Sequence, residues 1–95
     1  MKAHEILSAP CNWIQRNYAK DKQGKPVGIN DESAFCFCVM GALHRAYPEP
    51  DDFHRHTKRL TRQIRKLGFD AVPQWNDAPN RTHEEIITTL RQLDI

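Results

Sequence analysis

Cysteine and histidine are the residues of this sequence that first suggest chemistry, because both can bind a metal ion. The candidate ligands are Cys11, Cys36, Cys38, His44, His54 and His56. The closest pairs are Cys36-x-Cys38 and His54-x-His56, whereas structural zinc sites usually leave about two to four residues between cysteines and about three to five between histidines. On a helix, residues two apart point to different sides and cannot share an ion. We therefore expect no metal, and the isolated glycines predict no nucleotide cofactor.

A cysteine nucleophile is the second chemical possibility, with Cys38 as the thiol and His44 as its base. Six residues along a helix place these two side chains about 120° apart. A reactive thiol also needs partial exposure and a cationic neighbour. Residues 34–43, which include Cys38, contain no charged side chain and are the most apolar run of the chain. We therefore predict that the protein is not an enzyme, and a small catalytic pocket near Trp75 and Cys38 is the least favoured alternative.

The strongest electrostatic feature is a basic segment, residues 53–67, which holds six Lys or Arg and no Asp or Glu. Its cations are Arg55, Lys58, Arg59, Arg62, Arg65 and Lys66. Four of them recur at helical spacing, so they would share one exposed face. Such a face could dock an acidic protein surface or contact phosphates of a nucleic acid. It could also be a solvated face that the acidic last helix neutralises.

The turn Trp75-Asn76-Asp77 allows two interpretations. In the functional one, Trp75 is an exposed anchor and the two polar side chains contact a partner. In the structural one, Trp75 fills the core, Asn76 or Asp77 forms a turn through its side chain, and Arg81 pairs with a carboxylate. The sequence leaves both open, so Trp75, Asn76 and Asp77 join the basic segment as candidate partner-binding residues.

Composition and length set the class of protein. Ninety-five residues correspond to one domain, residues 1–95. A hydrophobic content of 39% and a charged content of 27% are typical of a soluble globular chain. No apolar run could span a bilayer, and no signal peptide is apparent. Three cysteines, an odd number, suggest reduced thiols. We therefore expect a cytoplasmic protein with no membrane partner.

The hydrophobic periodicity predicts a mainly α, compact four-helix domain with a short β-hairpin near residues 13–28. The predicted helices are 4–9, 32–46, 52–67 and 83–93. The hairpin is favoured over a helix because Gly24 suits a tight turn. Alternating Phe35 and Phe37 keep a buried strand open for the first half of the second helix. A stripe of small residues around Gly41 would let another backbone come close.

Local signals mark the ends of two predicted helices. Asp51 and Asp52 favour the start of the third helix, and Gly68 favours its end just after Leu67, which would face the core. Residues 69–73 would form an extended linker that leads into a polar turn. Thr82 and Glu85 have the spacing of a capping box, which predicts the start of the last helix.

Several short motifs resemble a known family. They are Trp13, Gly24-x-Pro26-Val27, Cys38-x-x-Gly41-Ala42 and Trp75-Asn76-Asp77-Ala78-Pro79-x-Arg81-Thr82. Together they resemble the DUF6197-type domain, a small bacterial and phage family of unknown function. The resemblance implies a compact, mainly helical fold and a bacterial or phage origin, but no activity. The basic segment is not part of these motifs.

By analogy, small proteins of bacterial or phage origin often bind and block a host or phage protein. The basic segment could supply the binding surface for such a role. We therefore expect a non-catalytic protein-binding module, an inhibitor or modulator of a bacterial protein or defence system. Its partner would have an acidic surface. The alternative is a nucleic-acid-binding protein that uses the basic helix 53–67.

Overall fold

Helices form most of the regular structure in the computed structural model, which describes residues 1–95. In chain order the elements are α1 (Ala3–Ile6), a 3-10 turn (Pro10–Asn12), β1 (Ala19–Lys20), β2 (Cys36–Phe37), α2 (Val39–Ala46), α3 (Pro50–Arg65), α4 (Val72–Asn76) and α5 (His83–Gln92). The mainly α class is confirmed, whereas the count of four helices is wrong. The additional helix is α4, which forms where a linker and a polar turn were predicted.

Helix α5 begins where its capping residues predict, whereas α3 begins two residues before the predicted residue 52. Pro50 occupies the first turn of α3 with Asp51 and Asp52, where acidic side chains favour the positive end of the helix dipole. The hydroxyl of Thr82 accepts a hydrogen bond from the Glu85 N–H, and the Glu85 carboxylate accepts one from the Thr82 N–H. This reciprocal pair is the predicted capping box and fixes the start of α5.

The predicted hairpin at 13–28 is only partly correct. A tight turn does form, with Gly24 at φ +83° and the Asp21 N–H donating to the Lys25 carbonyl at 2.9 Å. The return segment contributes only a single bridge, between Lys20 and Pro26. Because proline has no N–H to donate, it cannot extend a ladder. The antiparallel partner of β1 is instead β2, which pairs Ala19 with Phe37 and Lys20 with Cys36.

The second helix was predicted over 32–46, but α2 begins at Val39. The preceding residues are extended and form β2, so the strand alternative is correct for this half. Both residues of β2 are buried, which suits a strand enclosed on two sides. Cys38 is the N-cap of α2, and its Sγ accepts a hydrogen bond from the Gly41 N–H.

Helix α2 lies at the centre and packs against α1, α3 and α4. Its Val39, Ala42 and Leu43 are fully buried in one hydrophobic core, which also takes residues from α3, α4 and α5. The predicted close approach at Gly41 is present. A Cβ atom built there would lie 2.1 Å from the Tyr18 carbonyl oxygen, so only glycine fits between α2 and the segment that leads into β1.

Candidate functional site

The six cations of the basic segment lie on α3 and just after it, and we call them the basic face. Leu60 and Ile64 turn the opposite side of α3 into the core and are fully buried. The basic face therefore points outward as the helical spacing predicts. Arg55, Lys58, Arg62, Arg65 and Lys66 are exposed, and Arg59 is half-buried.

Three of the six cations are engaged within the chain, although Arg65 only donates one long hydrogen bond of 3.5 Å from Nε to the Asp70 carbonyl. Arg55 forms a salt bridge of 2.9 Å with Asp52, one turn earlier on the same helix. Arg59 donates a hydrogen bond to the backbone carbonyl of Leu93, at the end of α5. Burial lowers the pKa of the neighbouring His56, and Arg55 and Arg59 lower it further. These contacts remove Arg55 and Arg59 from the set of free charges.

The four cations Lys58, Arg62, Arg65 and Lys66 have no carboxylate partner. The molecule's three salt bridges join Lys2 to Asp94, Arg55 to Asp52 and Arg81 to Glu85, so none connects α3 with α5. No acidic side chain of the last helix therefore pairs directly with the basic face. These four cations and His54, Thr57 and Thr61 line an open depression of about 790 Å³ with no acidic and no apolar residue.

Trp75 is not an exposed anchor, so the functional interpretation of this residue is wrong. Its side chain is 1% exposed and lies in the hydrophobic core. The guanidinium of Arg81 lies 5.4 Å from the ring centroid, donates to the Trp75 carbonyl at 3.0 Å and pairs with Glu85 at 3.3 Å. The bulk of Trp75 explains this placement, because a small core gains most from burying its largest aromatic side chain.

Asn76 is also buried, with 1% exposure, and cannot contact a partner. Its Oδ1 accepts from Trp13 Nε1 at 2.8 Å and from the Val39 N–H at 3.0 Å. Its Nδ2 donates to the Ile14 carbonyl at 3.2 Å and to Asp77 Oδ1 at 2.8 Å. The amide thus uses both ends to join α4 to α2 and to the segment before β1.

Asp77 alone of the three turn residues is partly exposed. Its Oδ1 accepts a second hydrogen bond from the Arg16 N–H at 2.9 Å. Arg16 has φ +73°, a left-handed conformation that costs energy for a residue with a Cβ. Asp77 and Arg16 border a cleft of about 170 Å³ beside Cys38. The least favoured alternative placed a pocket near Trp75 and Cys38, and this cleft does lie beside Cys38. No local sequence signal indicated Arg16 as part of it, because its walls come from segments far apart in the chain.

The cysteines and histidines are spread over several environments. Burial raises the pKa of both Cys36 and Cys38, whereas Cys11 is exposed. His44 stacks on Phe53 with ring centroids 4.0 Å apart, and His56 lies at the same separation from Tyr47. No three His, Cys, Asp or Glu side chains lie close enough together to hold a metal ion. The structure therefore uses these two histidines as packing partners of aromatic rings.

The fold and these sites define a small, mainly helical domain in which the motif residues Trp13, Cys38, Gly41 and Asn76 meet around one polar network. The chain belongs to the family of unknown function DUF6197, which matches residues 1–93. Comparisons with curated proteins and with solved structures give no match. None of its helices combines the length and apolar character needed to cross a membrane.

Proposed function

We propose that the protein is a non-catalytic module that binds the acidic surface of a partner protein through its basic face. The observation that supports this proposal is the set of four exposed cations without a carboxylate partner. Lys58, Arg62 and Lys66 follow one another at intervals of four residues, where like charges on a helix repel each other. An acidic partner would relieve that repulsion and would be steered toward the face over a distance.

The surroundings of the basic face favour a protein over a nucleic acid. Asp51 and Asp52 lie in the first turn of α3, so a polyanion running along the helix would meet negative charge there. The free cations span only residues 58–66, roughly 12 Å of helix. Leu67, which follows directly, is 54% exposed. A short cationic patch beside an apolar side chain suits a protein surface, where charge and apolar contacts alternate.

Nucleic-acid binding is the second candidate, and the lining of the depression supports it. Thr61 lies among the cations, and no carboxylate interrupts them, although the hydroxyl of Thr57 is itself buried. Hydroxyl, Lys and Arg groups are the usual donors to phosphate oxygens. Only one basic helix contributes, however, so the contact would be short and strongly weakened by salt.

A charge-reversal pair tests the proposal. Lys58→Glu combined with Arg62→Glu reverses two cations that form no hydrogen bond within the chain. It leaves Arg59, which bonds to α5, and Arg65, which bonds to the Asp70 carbonyl, unchanged. The matched control is Lys25→Glu with Arg91→Glu, which changes net charge equally at exposed positions outside α3 and outside the depression. We expect a partner recovered from lysate to bind the wild type and the control, and to bind the α3 variant at least about tenfold more weakly when remeasured with purified proteins.

Two outcomes contradict the proposal. Equal partner affinity for all three proteins would show that the basic face is not the interface. The second candidate would be favoured if no protein partner is found and the wild type binds DNA and RNA in a salt-sensitive way. In that case the α3 variant should lose this binding and the control should keep it. The measurements are isothermal calorimetry with the purified partner and fluorescence anisotropy with labelled DNA and RNA over a range of salt.

The setting proposed for this module is the bacterial cytoplasm, where it would act by covering an acidic face of a host or defence protein. The resemblance to bacterial and phage proteins is the reason for this choice of partner. Three free cysteines, two of them buried, support a reducing compartment.

A further inference from the structure

A cleft between three segments holds polar groups that neither the hydrophobic core nor the basic face uses. Its walls come from the segment before β1, the start of α2, and α4 with the residue that follows it. Its volume of about 170 Å³ is below the roughly 300–1,000 Å³ of pockets that hold drug-sized ligands. The lining residues are Arg16, Asn17, Tyr18, Cys38, Met40, Pro73, Asn76 and Asp77.

The first turn of α2 is not the main source of binding groups, because two of its three N–H donors are already used. The Val39 N–H donates to Asn76 Oδ1 at 3.0 Å, and the Gly41 N–H donates to Cys38 Sγ at 3.4 Å. Burial raises the pKa of the Cys38 thiol above its ordinary value of 9.0, so this group is neutral at neutral pH. Arg16 and Asp77 are therefore the residues of the lining whose side chains carry a charge.

These two charges border the same cleft without neutralising each other. Asp77 Oδ1 is held by the Arg16 N–H and by Asn76 Nδ2, whereas Asp77 Oδ2 accepts no hydrogen bond. The Arg16 guanidinium forms no hydrogen bond and no salt bridge. The Asp77 side chain is thus fixed through one oxygen, and the other oxygen is free for a ligand.

We propose that this cleft binds a small zwitterion of the free amino-acid type. Asp77 Oδ2 accepts hydrogen bonds from the ammonium group of the ligand, and the Arg16 guanidinium donates to its carboxylate. Tyr18, Met40 and Pro73 supply apolar surface for a short side chain. Both ligand charges are matched, so a molecule that carries only one of them leaves a protein charge without a partner.

The test is an amide NMR titration of the isotope-labelled full chain with L-alanine and with L-serine. We expect saturable shifts confined to residues 16–18, 38–40 and 76–77. N-acetyl-L-alanine and L-alaninamide each lack one charge and should bind about tenfold more weakly or worse. Asp77→Asn and Arg16→Asn should each weaken L-alanine to a similar extent. Asparagine is chosen at Arg16 because it tolerates positive φ.

The control is Arg91→Gln, which removes an exposed cation from α5 and should bind L-alanine like the wild type. The proposal is overturned if neither amino acid gives saturable shifts, or if the single-charge analogues bind as well as L-alanine. Unchanged binding by both cleft variants also overturns it. No lining residue belongs to the basic face, so the outcome is independent of the charge-reversal experiment on α3.

Discussion

The side-chain oxygen of Asn76 accepts a hydrogen bond from the backbone N–H of Val39 at 3.0 Å and so joins the end of α4 to the first residue of α2. The same oxygen accepts from the indole N–H of Trp13. One buried amide therefore satisfies a helix-terminal donor and a tryptophan donor that would otherwise be buried without partners.

Replacing Asn76 with Ala should destabilise the protein by roughly 3 kcal/mol or more, because at least two buried donors lose their acceptor. Urea denaturation followed by circular dichroism measures the free energy of unfolding. The matched control is Asn30→Ala, an exposed asparagine without a side-chain hydrogen bond, which should change stability by less than about 0.5 kcal/mol. Equal effects of the two variants would contradict a central role for this amide.

Gly41→Ala should also destabilise, by about 2 kcal/mol or more, because its methyl group would lie 2.1 Å from the Tyr18 carbonyl oxygen. Alanine is the better helix former by about 1 kcal/mol, so propensity alone predicts the opposite sign. Gly28→Ala is the control, since nothing lies within 4 Å of a Cβ there. A Gly41→Ala variant as stable as the wild type would show that α2 moves away from Tyr18 at little cost.

Helices α3 and α5 could be predicted from the sequence because their signals are local. The Thr82–Glu85 capping box, the acidic first turn of α3 and the period of the buried residues all lie within the element they define. At the end of α3, the local signal predicts where the helix stops but not which residues there are buried. Gly68, with φ +94°, terminates the helix as predicted, yet Leu67 just before it is 54% exposed instead of facing the core.

The strand pairing and the cleft could not be predicted because they depend on contacts between distant residues. Lys20 could pair with the nearby Pro26 or with Cys36, and local patterning does not distinguish the two. Phe37 decides the outcome, since pairing with Ala19 buries its ring against α2. The burial of Trp75 was one of the two predicted interpretations, whereas the hydrogen bonds of Asn76 to Val39 and Ile14 join segments far apart in the chain and had no local signal.

Thiol reactivity should separate the three cysteines. Cys11 is exposed and should be alkylated first, whereas burial raises the pKa of Cys36 and Cys38 and limits their access to reagent. Iodoacetamide labelling of the native protein, mapped by mass spectrometry, should therefore modify Cys11 well before the other two. In urea the three rates should converge. Rapid native labelling of Cys38 would instead support a nucleophilic role for this residue.

The capping box of α5 predicts a pH dependence of stability. Hydrogen bonds from the Thr82 N–H and hydroxyl hold the pKa of Glu85 below its ordinary value of 4.5. A carboxyl whose pKa is lower in the folded state contributes stability above the unfolded value, and this contribution is lost as the pH falls through the folded pKa. The stability that ionised Glu85 contributes is therefore lost as the pH falls below 4.5.

Glu85→Gln tests this dependence, because glutamine can complete a capping box but does not titrate. At neutral pH the variant should unfold at a slightly lower temperature than the wild type, because glutamine lacks the charge that Thr82 and Arg81 favour, and the two proteins should converge at low pH. Below pH 4.5 the melting temperature of the variant should fall less steeply with pH, since one of the carboxylates with a lowered pKa has been removed. Melting curves followed by circular dichroism across this range give the comparison. Parallel profiles for the two proteins would show that the Thr82 hydrogen bonds do not favour the ionised carboxylate, because the acid sensitivity would then come from other groups.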